Sequence, residues 1–244
     1  MTDVDQCLDD LKRAAVSAGF LVANYGVVDG APLLGLTRQA SKPSATSRTV
    51  YLSAGIHGDE PAGPLALLEL LRGDALPRHD NWAICPLMNP SGLKQGTREN
   101  FAGIDLNRDY RDFRSDETRG HHDWLQRAVR SLDLGIHLHE DWEAEGFYLY
   151  ELNFGKSPSL AKSLLKAAGQ FLPIESAECI DGRSARCGII RPDTLPDLPE
   201  GHPESIYLHR QYGAVLYTLE TPSARELELR VAALKAAVLK AVGL

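Results

Sequence analysis

The stretch RTVYLSAGIHGDEPAGPLALLELLRG (residues 48–73) changes character at its centre. Its first part, RTVYLSAGI, is rich in β-forming residues and predicts a strand. Its last part begins at Pro61 and predicts a helix, with Asp59 or Glu60 near the N-terminal cap and the proline in the first turn. His57 lies between the two elements. Charged groups at the mouth of a hydrophobic strand are costly unless something uses them, so this turn is a candidate functional site.

Strands and helices alternate along the rest of the chain. We predict strands at residues 20–28, 33–37, 48–56, 81–88, 132–139, 146–152 and 213–221, and helices at residues 4–17, 61–73, 115–131, 157–171 and 223–242. The strands are apolar runs, which is typical of a sheet covered on both faces. This order predicts an α/β fold: a single domain over residues 1–244, with three α/β/α layers and a mixed, mostly parallel central sheet. Residues 173–203 are rich in proline, glycine and charge, and we expect a long surface loop there.

Composition narrows the class of protein. The chain has 244 residues, of which 43% are hydrophobic and 24% charged, as in ordinary globular proteins. Its net charge of −7 argues against a nucleic-acid-binding surface, which normally needs a basic patch. No apolar run approaches the length of a membrane span, and the acidic N-terminal segment does not resemble a signal peptide, so we expect a cytoplasmic protein. The four cysteines show no CxxC spacing, and we interpret them as reduced thiols.

Imidazoles and carboxylates gather where the predicted strands end, as functional groups do in α/β sheets. The side chains at these positions are His57, Glu60, His137, His139 and Glu220. An HxxE pair plus a histidine from another strand would make a two-histidine, one-carboxylate set, the layout of a catalytic zinc site. Zinc in such a site acidifies water and polarises a carbonyl. HxxE alone is a weak signal, because a surface histidine beside a helix-capping acid gives the same pattern.

A second cluster lies in PLMNPSGLKQGTRENFAGIDLNRDY (residues 86–110), a glycine-rich stretch that we predict is not a helix. It contains Arg98, Asp105, Asn107 and Arg108. These arginines could simply be solvated. An adjacent asparagine and arginine are, however, well suited to binding a carboxylate with paired donors.

Four sequence blocks occur in this order along the chain: GIHGDE, NPSGLKQGTRENFAGIDLNR, a predicted strand ending in histidine, and YTLETP. Together they resemble the zinc metallocarboxypeptidase family (carboxypeptidase A-like), which is related to succinylglutamate desuccinylase and aspartoacylase. The resemblance covers about residues 48–222. It implies a zinc carboxypeptidase-like fold, one zinc ion per chain, and hydrolysis of a C-terminal amide bond.

The resemblance implies His57 and Glu60 as the first two zinc ligands. The third ligand is open from the residues alone, because His137 and His139 have a spacing of two and share one face of a strand. We favour His139, which lies nearer the end of the strand and precedes the acidic turn EDWEAEG. Asp105 resembles the carboxylate that orients a metal-bound histidine, a common partner in such sites.

The resemblance also implies roles for the remaining residues. Arg98 is expected to stabilise the oxyanion, and Asn107 and Arg108 to hold the terminal carboxylate of the substrate. Glu220 is expected to act as the general base. A glutamate at a strand end can also be an ordinary edge residue, and only the other motifs favour the catalytic role. The tyrosine that some relatives use near the scissile bond is not assignable, with Tyr207 as one candidate.

Two other functions stay open. A deacylase of N-acyl amino acids, like succinylglutamate desuccinylase or aspartoacylase, would share GxHGxE and DLNR, whereas GTRENFAGIDLNRDY and YTLETP look closer to peptidases. Asp59 stands where several peptidase relatives carry a basic residue, which favours a different substrate. A non-catalytic metal- or peptide-binding protein is the second alternative. We expect a small peptide or N-acyl amino acid as partner, and neither nucleic acid nor membrane.

Overall fold

The computed structural model describes residues 3–155, 157–199 and 201–244. Its helices are α1 (Val4–Ser17), α2 (Ala62–Arg72), α3 (Pro90–Gln95), α4 (Asp116–Ala128), α5 (Ala161–Ala168), α6 (Glu204–Tyr212) and α7 (Leu227–Ala241), with a short 3₁₀ helix at Leu106–Arg108. Its strands are β1 (Leu21–Val28), β2 (Ala31–Arg38), β3 (Thr49–Ala54), β4 (Asn81–Cys85), β5 (Leu134–Asp141), β6 (Tyr148–Leu152), β7 (Cys179–Ile180), β8 (Arg183–Arg186), β9 (Ile189–Ile190) and β10 (Val215–Pro222).

The strands join in one mixed sheet in the order β1-β2-β4-β3-β5-β10-β6-β9-β8-β7. The four central strands, β4, β3, β5 and β10, run parallel. Antiparallel neighbours β2 and β6 flank them on either side. Because the carboxyl ends of parallel strands meet at one edge of a sheet, the ends of β3, β5 and β10 lie side by side.

Helices cover both faces of the sheet, which confirms the predicted α/β architecture. One hydrophobic cluster packs α1, α2, α5 and α7 against one face. A second cluster packs α4 and α6 against the other. Side chains alternate between the faces along each strand. In β5, for example, Ile136 and Leu138 join the first cluster, so His137 and His139 point to the side of α4 and α6.

The prediction of a surface loop at residues 173–203, of which Glu200 lies outside the described residues, is wrong for three short strands within it. Strands β7 and β8 form an antiparallel hairpin, and β9 pairs in parallel with β6, so this segment extends the sheet. These strands have two to four residues, which is too short to show a period in the sequence. Helix α6 was likewise not predicted, and α3 lies within the stretch that we expected to contain no helix.

Asp59 and Glu60 lie next to the start of α2 as predicted, but neither caps the helix. Pro61 occupies the cap position of α2 and makes no side-chain hydrogen bond there. The carboxylate of Glu140, from the end of β5, instead accepts a hydrogen bond of 2.7 Å from the Ala62 backbone amide. Glu60 is therefore not used by the helix and turns towards the histidines.

Among the described residues, no helix combines the length and apolar character that crossing a membrane requires.

Candidate active site

The histidine after β3 and the second histidine of β5 converge on one buried carboxylate. His57 Nδ1 lies 2.6 Å from Glu60 Oε1, and His139 Nδ1 lies 3.0 Å from Glu60 Oε2. The centroids of the two imidazole rings are 5.0 Å apart, and the rings meet edge to face. All three side chains are buried. We call His57, Glu60 and His139 the upper cluster.

The upper cluster has the donor set of a zinc site. One candidate ligand atom from each residue can be chosen so that the three lie within 4.8 Å of one another. Glu60 Oε2 is buried without a hydrogen-bond partner of acceptable geometry. Buried polar atoms of this kind are costly unless something satisfies them. Two imidazole nitrogens and a carboxylate match the ligands that catalytic zinc takes from proteins, so these residues fit the metal.

Burial and mutual charge set the ionisation of the upper cluster. Burial lowers the pKa of His57, but the Glu60 and Asp105 carboxylates together outweigh it and raise the pKa to about 9. Burial raises the pKa of Glu60, yet the two imidazoles bring it down to about 2. For His139 burial dominates, and the pKa is lowered. At neutral pH the ionised Glu60 therefore pairs with a protonated His57, and a metal bound here would replace that proton.

Asp105 lies beside the upper cluster and connects it to Arg98. Its Oδ1 is 3.4 Å from His57 Nε2, and its Oδ2 accepts a hydrogen bond of 3.0 Å from Arg98 Nε. The same carboxylate accepts from the Asn107 backbone amide at 2.8 Å, which fixes the start of the short 3₁₀ helix. Burial would raise the pKa of Asp105, but the His57 imidazole and Arg98 hold it below its usual range.

A cavity of about 380 Å³ opens above the upper cluster. Of the residues that the sequence predicts for the site, Asp105 does not line this cavity. The others do: His57, Glu60, Arg98, Asn107, Arg108, His139 and Glu220. Glu220, on β10, pairs with His139 on one side and with Tyr148 on the other. Its carboxyl is buried, and burial together with the nearby Glu60 and Asp141 carboxylates raises its pKa well above the usual value.

Asn107 and Arg108 form one wall of the cavity. Asn107 Oδ1 accepts a hydrogen bond of 2.9 Å from the backbone amide of Glu204, which leaves the amide NH₂ group as the donor for a ligand. One guanidinium nitrogen of Arg108 donates to the Asn107 carbonyl at 3.0 Å. The other donors of this guanidinium have no hydrogen bond within the described residues.

His137 belongs to a different group of side chains beneath the cavity. Its Nδ1 lies 2.8 Å from Glu204 Oε2 and 2.9 Å from Ser53 Oγ. Tyr51 donates to the other oxygen of Glu204 at 2.5 Å and also contacts His121 Nε2 at 2.9 Å. We call His121, His137 and Glu204 the lower cluster. The structure thus places His139, and not His137, with His57 and Glu60.

The catalytic-domain model of the succinylglutamate desuccinylase/aspartoacylase family matches residues 46–173, more than half of the chain. The chain belongs to this family. The matched segment contains the whole upper cluster, Arg98, and the Asp105–Arg108 segment. Glu220 lies beyond it.

Other known proteins are similar to this desuccinylase/aspartoacylase-family chain. A candidate metallopeptidase from Shewanella amazonensis shares 27% identity and a TM-score of 0.84, covering 98% of this chain and 91% of that one. A metallo-carboxypeptidase from Burkholderia cenocepacia has the same fold at 21% identity and a TM-score of 0.73, covering 99% of this chain and 68% of that one. Carboxypeptidase 2 of Trichophyton tonsurans is 35% identical in an alignment of 88 residues that covers 32% of this chain and only 16% of that protein.

These similarities confirm the suspected family and the zinc carboxypeptidase-like fold class. They support a hydrolase for this member of the desuccinylase/aspartoacylase family, and the upper cluster supports a bound metal, with zinc as the ion that fits.

The sequence did not point to several residues on the cavity wall. Tyr148, Tyr150 and Asp181 line the cavity, as does Trp142, a residue that is 79% exposed. Tyr148 and Tyr150 look like core residues of an apolar strand, so no sequence signal marks them.

The candidate tyrosine of the sequence analysis lies elsewhere. Tyr207 does not line the cavity; its hydroxyl contacts His122 Nδ1 at 2.7 Å. Of the arginines in residues 173–203, Arg183 lines the cavity, while Arg191 pairs with the buried carboxylate of Glu151.

Proposed function

We propose that this protein is a zinc-dependent metallocarboxypeptidase that hydrolyses the C-terminal amide bond of a short peptide. The observation on which the proposal rests is the convergence of His57, Glu60 and His139 at the base of a cavity that Glu220, Arg98 and Arg108 also line. A metal centre, a carboxyl group and cations in one cavity are the parts that amide hydrolysis next to a carboxylate needs.

His57, Glu60 and His139 would hold one zinc ion per chain. Zinc in such a site acts as a Lewis acid, which acidifies water and polarises a carbonyl. Asp105 would orient His57 through its Nε2 atom, at the separation of 3.4 Å. A carboxylate partner of this kind fixes the ring and increases the basicity of the ligand.

Glu220 would move the proton. Its buried carboxyl has a raised pKa, so it accepts a proton more readily than an exposed glutamate does. It would take a proton from the attacking water and deliver it to the leaving amine. Arg98 would donate hydrogen bonds to the oxygen on which negative charge develops.

Arg108 and the NH₂ group of Asn107 would bind the terminal carboxylate of the substrate. Both residues line the cavity, and the unused donors of the Arg108 guanidinium suit a planar carboxylate. Binding at this wall would place the last peptide bond of a short peptide over the upper cluster.

Deacylation of an N-acyl amino acid is the second candidate function. The match to the desuccinylase/aspartoacylase catalytic domain over residues 46–173 favours it. This reaction also cleaves an amide bond beside a carboxylate, so the proposed residue roles would be the same. The two functions differ in what the cavity accepts on the acyl side of the bond.

A comparison of three substrates tests the proposal. The zinc-loaded protein is assayed with a blocked dipeptide that has a free C-terminus, with the same dipeptide as its C-terminal amide, and with an N-succinyl amino acid. We expect cleavage of the free dipeptide, little cleavage of its amide, and none in the His57→Ala variant. Preference for the N-succinyl amino acid would instead establish the deacylase. A protein that binds zinc but cleaves none of them would contradict both functions.

A further inference from the structure

Glu204 is a fully buried carboxylate that the proposed mechanism does not use. It lies in the first turn of α6 and is 1% exposed. Oε1 accepts a hydrogen bond of 2.5 Å from Tyr51, and Oε2 accepts one of 2.7 Å from Ser53. His137 Nδ1 lies 2.8 Å from Oε2 as well. The two hydroxyls belong to β3 and the imidazole to β5, so this carboxylate fastens α6 to both strands that lead into the upper cluster.

The backbone of Glu204 contacts the cavity wall. Its backbone amide donates to Asn107 Oδ1 at 2.9 Å. The residues just before it pack against the same segment: a Cβ atom on Gly201 would lie 2.0 Å from the Arg108 carbonyl oxygen, and Tyr110 donates from its backbone to the His202 carbonyl at 3.3 Å. The start of α6 and the 105–110 segment therefore have a fixed relative position.

We propose that Glu204 is a positioning residue that sets the distance between the upper cluster and the carboxylate-binding pair Asn107 and Arg108. The inference rests on the proposed function, because it assigns Glu204 a role through that pair. The side chain fixes α6 to β3 and β5, and the backbone amide fixes Asn107 to α6. A substrate whose carboxylate binds Arg108 is thereby held at a fixed distance from the residues at the ends of those strands.

The hydrogen bonds of Glu204 position α6 more precisely than packing alone would. A buried carboxylate is costly unless it is fully hydrogen-bonded, and Glu204 is satisfied by three side chains from two strands. Apolar packing could hold α6 on the sheet, but it tolerates small shifts that directional bonds to a rigid sheet do not. In catalytic sites a displacement of about 1 Å changes rates by about a hundredfold.

The test is Glu204→Gln, with Glu151→Gln as the matched control. Glutamine has one acceptor oxygen, whereas Glu204 accepts on both, so part of the attachment must break. Glu151 is also a fully buried carboxylate, but it bonds Tyr217, Ser159 and Arg191, away from Asn107. We expect Glu204→Gln to lower kcat/KM for the free dipeptide about tenfold, with a loss in kcat, because a displaced Asn107–Arg108 pair would hold the scissile bond in the wrong position. Zinc content and kcat/KM for the amidated dipeptide should not change.

The control separates positioning from general loss of stability. Glu151→Gln should lower the melting temperature without changing the preference for the free carboxylate. If Glu204→Gln leaves that preference unchanged, or if Glu151→Gln reduces it equally, the inference is wrong. Should Glu204→Gln not fold, Tyr51→Phe and Ser53→Ala each remove one bond to the carboxylate, and both must lower kcat/KM for the free dipeptide. A wild-type enzyme that does not distinguish the acid from its amide would disprove the Asn107–Arg108 role itself, and the inference with it.

Discussion

The upper and lower clusters contain the same residue types, two histidines and one glutamate, on the same side of the same sheet. In the upper cluster, Glu60 meets only imidazoles, and its Oε2 has no hydrogen bond. In the lower cluster, both oxygens of Glu204 accept hydrogen bonds from hydroxyl groups. The cavity reaches His57, Glu60 and His139, whereas the three residues of the lower cluster do not line it.

The difference shows that composition alone does not make a metal site. Hydroxyl donors use the lone pairs of Glu204, and burial lowers the pKa of His121 to about 4, so this ring stays neutral within the core. The lower cluster is in this way a structural network. The upper cluster lacks such donors and has an unsatisfied atom beside a cavity, which is what a ligand site requires. Three pairs of variants test this contrast.

The largest effect is expected from the two histidines of β5. His139→Ala should abolish zinc binding and hydrolysis, because it removes a proposed ligand. His137→Ala should keep about one zinc per chain but destabilise the fold by about 3 kcal/mol, because Glu204 would lose its buried partner. Elemental analysis and urea unfolding of both variants measure the two outcomes. Loss of zinc in His137→Ala with retention in His139→Ala would reverse the assignment.

A second pair concerns the glutamates on the cavity wall. Glu220→Gln should lower kcat by a factor of about 10² to 10⁴, with zinc content unchanged, because glutamine cannot accept the proton. Glu143→Gln, at the exposed edge of the same cavity, is the control and should change kcat by less than about twofold. Equal activity of Glu220→Gln and the wild type would remove Glu220 from the mechanism.

The smallest effect is expected from two neighbouring aspartates. Asp105→Asn should weaken zinc affinity by about 10- to 100-fold, since the partner of His57 would lose its charge. Asp109→Asn is the matched control: Asp109 accepts bonds from Ser115 and Thr118, so its loss should cost stability and leave zinc affinity unchanged. Chelator competition gives the affinities. If both variants bind zinc as the wild type does, Asp105 has no part in the site.

The motifs predict where most of the site lies, and alternation along β5 predicts that His137 and His139 share a face. The structure then separates the two, because Glu60 lies beside one and Glu204 beside the other. Glu204 was not predicted, since α6 has no clear sequence signature. The hairpin of β7 and β8 was also missed, so Asp181 on the cavity wall could not be anticipated.

The sequence by itself determined the alternation of strands and helices, the family, and the residues that follow the ends of β3, β5 and β10. These depend on local periodicity and on motif spacing, which the chain contains directly. Tertiary structure alone decided which carboxylate faces which imidazole, which acid caps α2, and which side chains line the cavity. Those contacts join segments far apart in the chain, and the choice among chemically equivalent partners is made by packing, hydrogen-bond geometry and access to the cavity.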